Sequence, residues 1–161
     1  MASCANAYKP SDEVGDFPTT SGNPVDLTQD VFTGTVYTGD FTRTELTAPS
    51  GFEETFPETA TDGNGQASGI YIVNSKVTVS APMSALVEAQ AYKDGDVYNA
   101  RMETNTDENA MKSYVKFTIS GDTINVEEYV VEVTKVEGMD VYARATYTAT
   151  LTKDDSASAG N

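Results

Sequence analysis

Met139-Asp140-Val141-Tyr142-Ala143-Arg144-Ala145-Thr146-Tyr147-Thr148-Ala149-Thr150-Leu151-Thr152 alternates in character from one residue to the next over its whole length. Val141, Ala143, Ala145, Tyr147, Ala149 and Leu151 form one set; Tyr142, Arg144, Thr146, Thr148, Thr150 and Thr152 form the other. Successive side chains on a strand point to opposite faces, so this pattern is a strand with one buried and one wet face. No helical period accommodates it.

The rest of the chain repeats that bias. Its 161 residues include 22 Thr, 16 Val and 4 Ile against only 4 Leu. Two heavy atoms on Cβ restrict χ1 in a helix and pack well on a pleated surface, so the imbalance favours strands. Alternation and turn signals place strands at 31–38, 41–47, 68–80, 84–93, 97–104, 113–120, 123–136 and 139–152. Gly39, Gly95, Gly121 and Gly138 sit between neighbouring strands, where tight hairpins need positive φ. The span 84–93 also carries helix signals in Ser80, Pro82 and Gly95, and we read it as a strand. Residues 52–66, with Gly51, Pro57, Gly63 and Gly65 and no period, read as a long loop.

The expected fold is therefore all-β: a single antiparallel domain of about eight strands over residues 31–152, either an up-and-down barrel or a two-sheet sandwich. An extended N-terminal arm, 1–30, precedes it, punctuated by Pro10, Pro18 and Pro24, and a flexible C-terminal tail, 153–161, follows. The strand run from Val31 to Thr152 loosely resembles a calycin-type barrel. It lacks the Gly-x-Trp signature of lipocalins, because the chain has no Trp.

Composition removes several functions. With 10 basic and 25 acidic residues the net charge is -15, which repels nucleic-acid phosphates and anionic lipid. No apolar run approaches the roughly 20 residues of a membrane-spanning helix. Such acidity suits an extracellular or virion surface in salt water. Zero His and one Cys leave no ligand set for zinc, copper or haem, and no His to activate a nucleophile. Cys4 reads as an incidental thiol or as the lipid-bearing residue of a cleaved lipoprotein start.

The remaining motifs are weak. Glu53-Glu54, Glu127-Glu128 and Asp154-Asp155 are adjacent pairs that a strand would point apart, and they read as solvated charges. Asp62-Gly63-Asn64-Gly65-Gln66 opens like a calcium loop, but Val73 stands where the closing Glu belongs, so it and Asp94-Gly95-Asp96 read as turns. The Thr146, Thr148, Thr150, Thr152 row resembles the Thr ranks of ice-binding proteins, without the repeating register that would stack them. Eight of the nine Tyr, amphipathic and suited to half-buried sheet positions, are spread through the strands, and Tyr8 lies in the arm.

These readings point to a non-enzymatic structural subunit of a larger assembly, of virion decoration, tail or surface-layer type, with no cofactor and no metal. Its partners would be copies of itself or another assembly subunit. In the arm, Val14, Phe17, Val25 and Leu27 are too sparse for a core but sufficient to anchor an extended strand along a neighbour or across the domain's own rim. The alternative is a calycin-like barrel carrying a small apolar ligand in space left by Ala143, Ala145 and Ala149.

Overall fold

The computed structural model describes residues 17–27, 36–60, 62–63, 66–80, 86–106 and 109–154. Among these, nearly all regular structure is strand: β1 (Asn23–Val25), β2 (Val36–Thr38), β3 (Phe41–Thr47), β4 (Thr59–Ala60), β5 (Asp62–Gly63), β6 (Gln66–Ala67), β7 (Gly69–Val73), β8 (Lys76–Ser80), β9 (Ala91–Asp94), β10 (Val97–Asn105), β11 (Asn109–Ser120), β12 (Thr123–Val136) and β13 (Met139–Lys153). Eleven of them join one antiparallel sheet in the order β1-β9-β10-β11-β12-β13-β2-β7-β8, with β3 beside β13 and β4 beside β3; β5 and β6 pair separately.

The sheet curls into a half-barrel rather than dividing into a sandwich. Its spine is the meander β9 to β13, whose strands lengthen to 14 residues in β12 and 15 in β13. The far edge of β13 splits: Arg144 to Thr148 pair with β3, while Thr152 and Lys153 pair with β2. The curl brings β8 back alongside the segment that precedes β9. There Val77 and Ala89 exchange both backbone hydrogen bonds, at 2.9 and 2.8 Å, and the Val79 amide donates to the Leu86 carbonyl at 2.9 Å.

The inner face is where the alternation places it. Ala143, Ala145, Tyr147, Ala149 and Leu151 are all buried, and from the other strands and loops Tyr37, Phe41, Phe56, Ile70, Val115, Phe117, Ile124 and Val130 join the same core. Tyr98 and Phe117 stack with ring centroids 5.5 Å apart.

Several expected elements take a different form. Residues 68–80 form a hairpin, because Asn74 and Ser75 adopt φ of 51° and 70°, the two left-handed residues of a type I′ turn. Of 84–93, only Ala91–Asp94 is a strand; residues 81–85 lie outside the described residues, and Ala89 makes an isolated bridge. Glu88 sits at φ 48°, which interrupts any continuous strand there. The span 52–66 contains a 3-10 turn at Glu53–Thr55 followed by β4 and β5. Asp62 and Gln66 belong to the paired strands β5 and β6, in which Asp62 faces Ala67. Lys153, assigned to the tail, still belongs to β13, and the Asp154 amide donates to the Val36 carbonyl at 3.0 Å.

In the arm, Val14 and Cys4 lie outside the described residues. What is described lies on the chain's own sheet: β1 pairs with β9 through Asn23–Lys93, Pro24–Tyr92 and Val25–Ala91. Leu27 is 1% exposed within the core, and its amide donates to the Ser75 carbonyl at 3.3 Å. Gly22 permits this seating. At φ +89°, it passes so close to β9 that a Cβ would stand 2.1 Å from the Lys93 carbonyl oxygen.

Candidate recognition surface

The outer face of the sheet is the opposite parity of the core positions, and its residues come together by register. Lys116 of β11 pairs with Glu127 of β12, Glu127 with Thr148 of β13, and Thr148 with Thr42 of β3. One step along, Thr118 pairs with Asn125 and Asn125 with Thr150. Val97 continues that row on β10, since its neighbour Tyr98 pairs with Phe117. With Asp40 from the β2-β3 turn, these two rows line an open trough of about 600 Å3. Strands of one sheet are roughly 4.8 Å apart and same-face residues roughly 6.7 Å apart along a strand, so the polar groups form a regular grid on a rigid base.

One end of the trough is electrostatically fixed. Lys116 Nζ lies 3.1 Å from Glu127 Oε1 and 6.0 Å from the centroid of the Tyr129 ring. The Tyr129 hydroxyl donates to the same Glu127 oxygen. That hydrogen bond and the lysine hold the Glu127 carboxyl below the usual carboxylate range, against an opposing effect of burial. Burial first, then the bond to Glu127, pushes Tyr129 up to about 12. Tyr114, 5.9 Å from Tyr129 between ring centroids, is also raised, mainly by burial. A carboxylate held ionised and a phenol held protonated are constant acceptor and donor at neutral pH.

Above Tyr129 on the same face, the arm covers its own part of the sheet. Phe17 packs against the cluster of Val131, Val133 and Tyr142. Arg101 lies 5.5 Å from the Phe17 ring centroid, and its Nε donates to the Pro18 carbonyl at 3.0 Å. Asn99, buried beneath, bonds both the amide and the carbonyl of Ser21, at 2.9 and 3.0 Å. Of the four arm anchors, Phe17 therefore sits on the outer face, Val25 against the main core and Leu27 within it.

The inner face carries a second polar group, which the adjacency of Glu127 and Glu128 conceals. Read from the sequence as a solvated charge, Glu128 is instead 0% exposed. Alternation puts it in line with Ile124, Val126 and Val130, all of them core residues. It pairs with Val115 on one side and Tyr147 on the other, and Tyr147 pairs with Arg43. The Tyr147 hydroxyl donates to the Pro57 carbonyl at 2.6 Å and Arg43 Nη1 to the Phe56 carbonyl at 2.5 Å. These two bonds strap the loop around the 3-10 turn across this end of the core, with Phe56 at 0% exposure beneath it. Burial pushes Tyr147 up to about 12.

Among the described residues, no group of three or more Asp, Glu, Cys or His is placed to hold a metal ion. Asp94 and Asp96 flank Gly95, at φ 61°, in the β9-β10 hairpin. No family model, no curated protein and no solved structure matches the chain.

Proposed function

We propose that this protein is a non-enzymatic assembly subunit that meets its partners through the outer face of its sheet and its N-terminal arm, in the manner of a decoration or surface-layer component. The observation that carries the reading is the location of its recess. The 600 Å3 trough lies on the polar outer face, whereas the inner alanines that could have left a cavity for an apolar ligand are packed in a core with Phe41, Phe56, Phe117 and Tyr147. A carrier needs enclosed apolar volume, and an interface needs an accessible, mixed-polarity surface.

Self-association decides the matter. Multi-angle light scattering of the full chain over about 1 to 100 μM, the range in which weak assemblies form, is expected to give masses above one chain. Deleting residues 1–16, which spares β1 and Leu27, is expected to lower that mass while leaving the β circular-dichroism signal intact. A full chain that is monomeric throughout would overturn the reading. So would a truncated chain that assembles unchanged, as far as the arm is concerned.

A further inference from the structure

We infer that the outer-face trough is a binding site for a short, neutral oligosaccharide. This goes beyond the assembly reading and shares with it only the premise that the outer face is the recognition face. The volume, about 600 Å3, is within the usual range for small-ligand sites, roughly 300 to 1,000 Å3. Position excludes a peptide strand as occupant. The trough lies across the middle of the sheet, where β12 is paired on both sides, β11 lies between β10 and β12, and β13 pairs with β12 throughout and with β3 at Thr148, so most of this backbone is committed to the ladder and recognition falls to side chains.

Those side chains define the ligand. Thr118 and Thr148 each present a hydroxyl that both donates and accepts; the Thr150 hydroxyl donates to Asn125 Oδ1 at 3.3 Å, which leaves its lone pairs and the Asn125 amide N–H groups facing the trough. A sugar ring carries the matching groups, adjacent hydroxyls that need a donor and an acceptor at once. The Thr methyls and Val97 supply apolar surface for its C–H faces. Charge selects against acidic ligands. Lys116 is already paired to Glu127, Asp40 adds a negative charge at the other end, and the whole chain is at -15. A sulfated or uronic polysaccharide would meet repulsion, and a cation would lack a ligand cluster.

The full chain, isotope-labelled, is titrated by two-dimensional amide NMR with the hexasaccharides of cellulose, xylan, starch and chitin, and separately with heparin. Light scattering on the same samples records the state of assembly. At least one neutral hexasaccharide is expected to shift the amides of 116–118, 125–127 and 148–150, with dissociation constants down to about 1 mM for so open a site. The double variant Asn125→Ala, Thr148→Val, which leaves the core untouched, is expected to weaken binding about tenfold or more, because each lost hydrogen bond leaves a ligand hydroxyl unmatched. Its circular-dichroism spectrum is expected to match that of the native chain, so that weaker binding reads as lost contacts. No shift from any of the four sugars at about 10 mM, shifts confined to other strands, or a stronger response to heparin would each overturn the site. A monomeric protein that still binds sugar would overturn the assembly reading alone. If the variant does not fold, the titration of the native chain decides by itself.

Discussion

Gly69 shows how much a single position can depend on what lies across from it. Its neighbour on β2 is Thr38, and a Cβ at Gly69 would stand 2.1 Å from the Tyr37 carbonyl oxygen, which is backbone and has no rotamer to escape into. Gly69→Ala is expected to cost about 3 kcal/mol, at the upper end for overpacking, read as a lowered urea midpoint with unchanged slope. A change under about 0.5 kcal/mol would mean that β2 and β7 are not held at this spacing. Tyr147 is a second such position. Tyr147→Phe removes the hydroxyl that binds Pro57 and is expected to cost about 1 kcal/mol at neutral pH. The sign with pH follows from its raised value. The folded protein holds this proton up to about 12, while an unfolded tyrosine releases it near 10. The stabilisation is full below pH 10 and is lost as pH rises from 10 towards 12. The native protein should therefore lose more stability over that window than Tyr147→Phe, and equal alkaline losses would show that the phenol is not buried.

At the scale of the element, the β12-β13 hairpin organises everything around it. It pairs in unbroken register from Val136–Met139 to Thr123–Thr152, and β11, β3 and β2 are laid down along its two edges. Its turn is Glu137-Gly138, at φ 52° and 81°, so Glu137 occupies a left-handed position that a side chain other than Asn, Asp or Gly adopts at a cost. Glu137→Asn is expected to stabilise the protein by about 0.5 kcal/mol, visible as a raised thermal midpoint, and a lowered midpoint would contradict the turn geometry. Met139, 69% exposed, and Val136 beside it make the hairpin tip an apolar spot that the described residues leave uncovered.

For the molecule as a whole, charge dominates outside the core. At -15, the acidic side chains repel one another across a chain of 161 residues. The ion pairs Arg43–Glu58, Arg101–Glu103, Lys112–Glu103 and Lys116–Glu127 offset only part of this. Raising salt from about 10 to about 150 mM shortens the screening length from roughly 30 to roughly 8 Å. The thermal midpoint is expected to rise over that range, since screening relieves repulsion more than it weakens exposed pairs of small worth. A midpoint that falls would show that the pairs outweigh the repulsion.

Strand identity is legible residue by residue wherever one face is buried and the other wet. Phe41–Thr47 and Thr123–Val136 have the expected bounds, and of the inner set that alternation assigns to β13, Ala143, Ala145, Tyr147, Ala149 and Leu151 are core residues while Val141 is only half-buried. The same alternation, applied to Glu128, places it in the core; its acidity argues for solvent, and parity prevails because the strand cannot turn one side chain over without its neighbours. Other features depend on partners distant in sequence. The hairpin at Asn74-Ser75 carries neither Gly nor Pro, and the Asn at its first turn position is a weak local signal inside a continuous β-rich run. The seating of Leu27 beside Ser75, the strap from Tyr147 and Arg43 onto residues 56 and 57, and the trough built across several strands each join residues that are separated in the chain. Periodicity reports which face of a strand is dry, because that is a property of successive side chains. Which strand becomes a neighbour, how far the sheet curls and where a recess opens are settled by packing between strands, and that exists only in the folded chain.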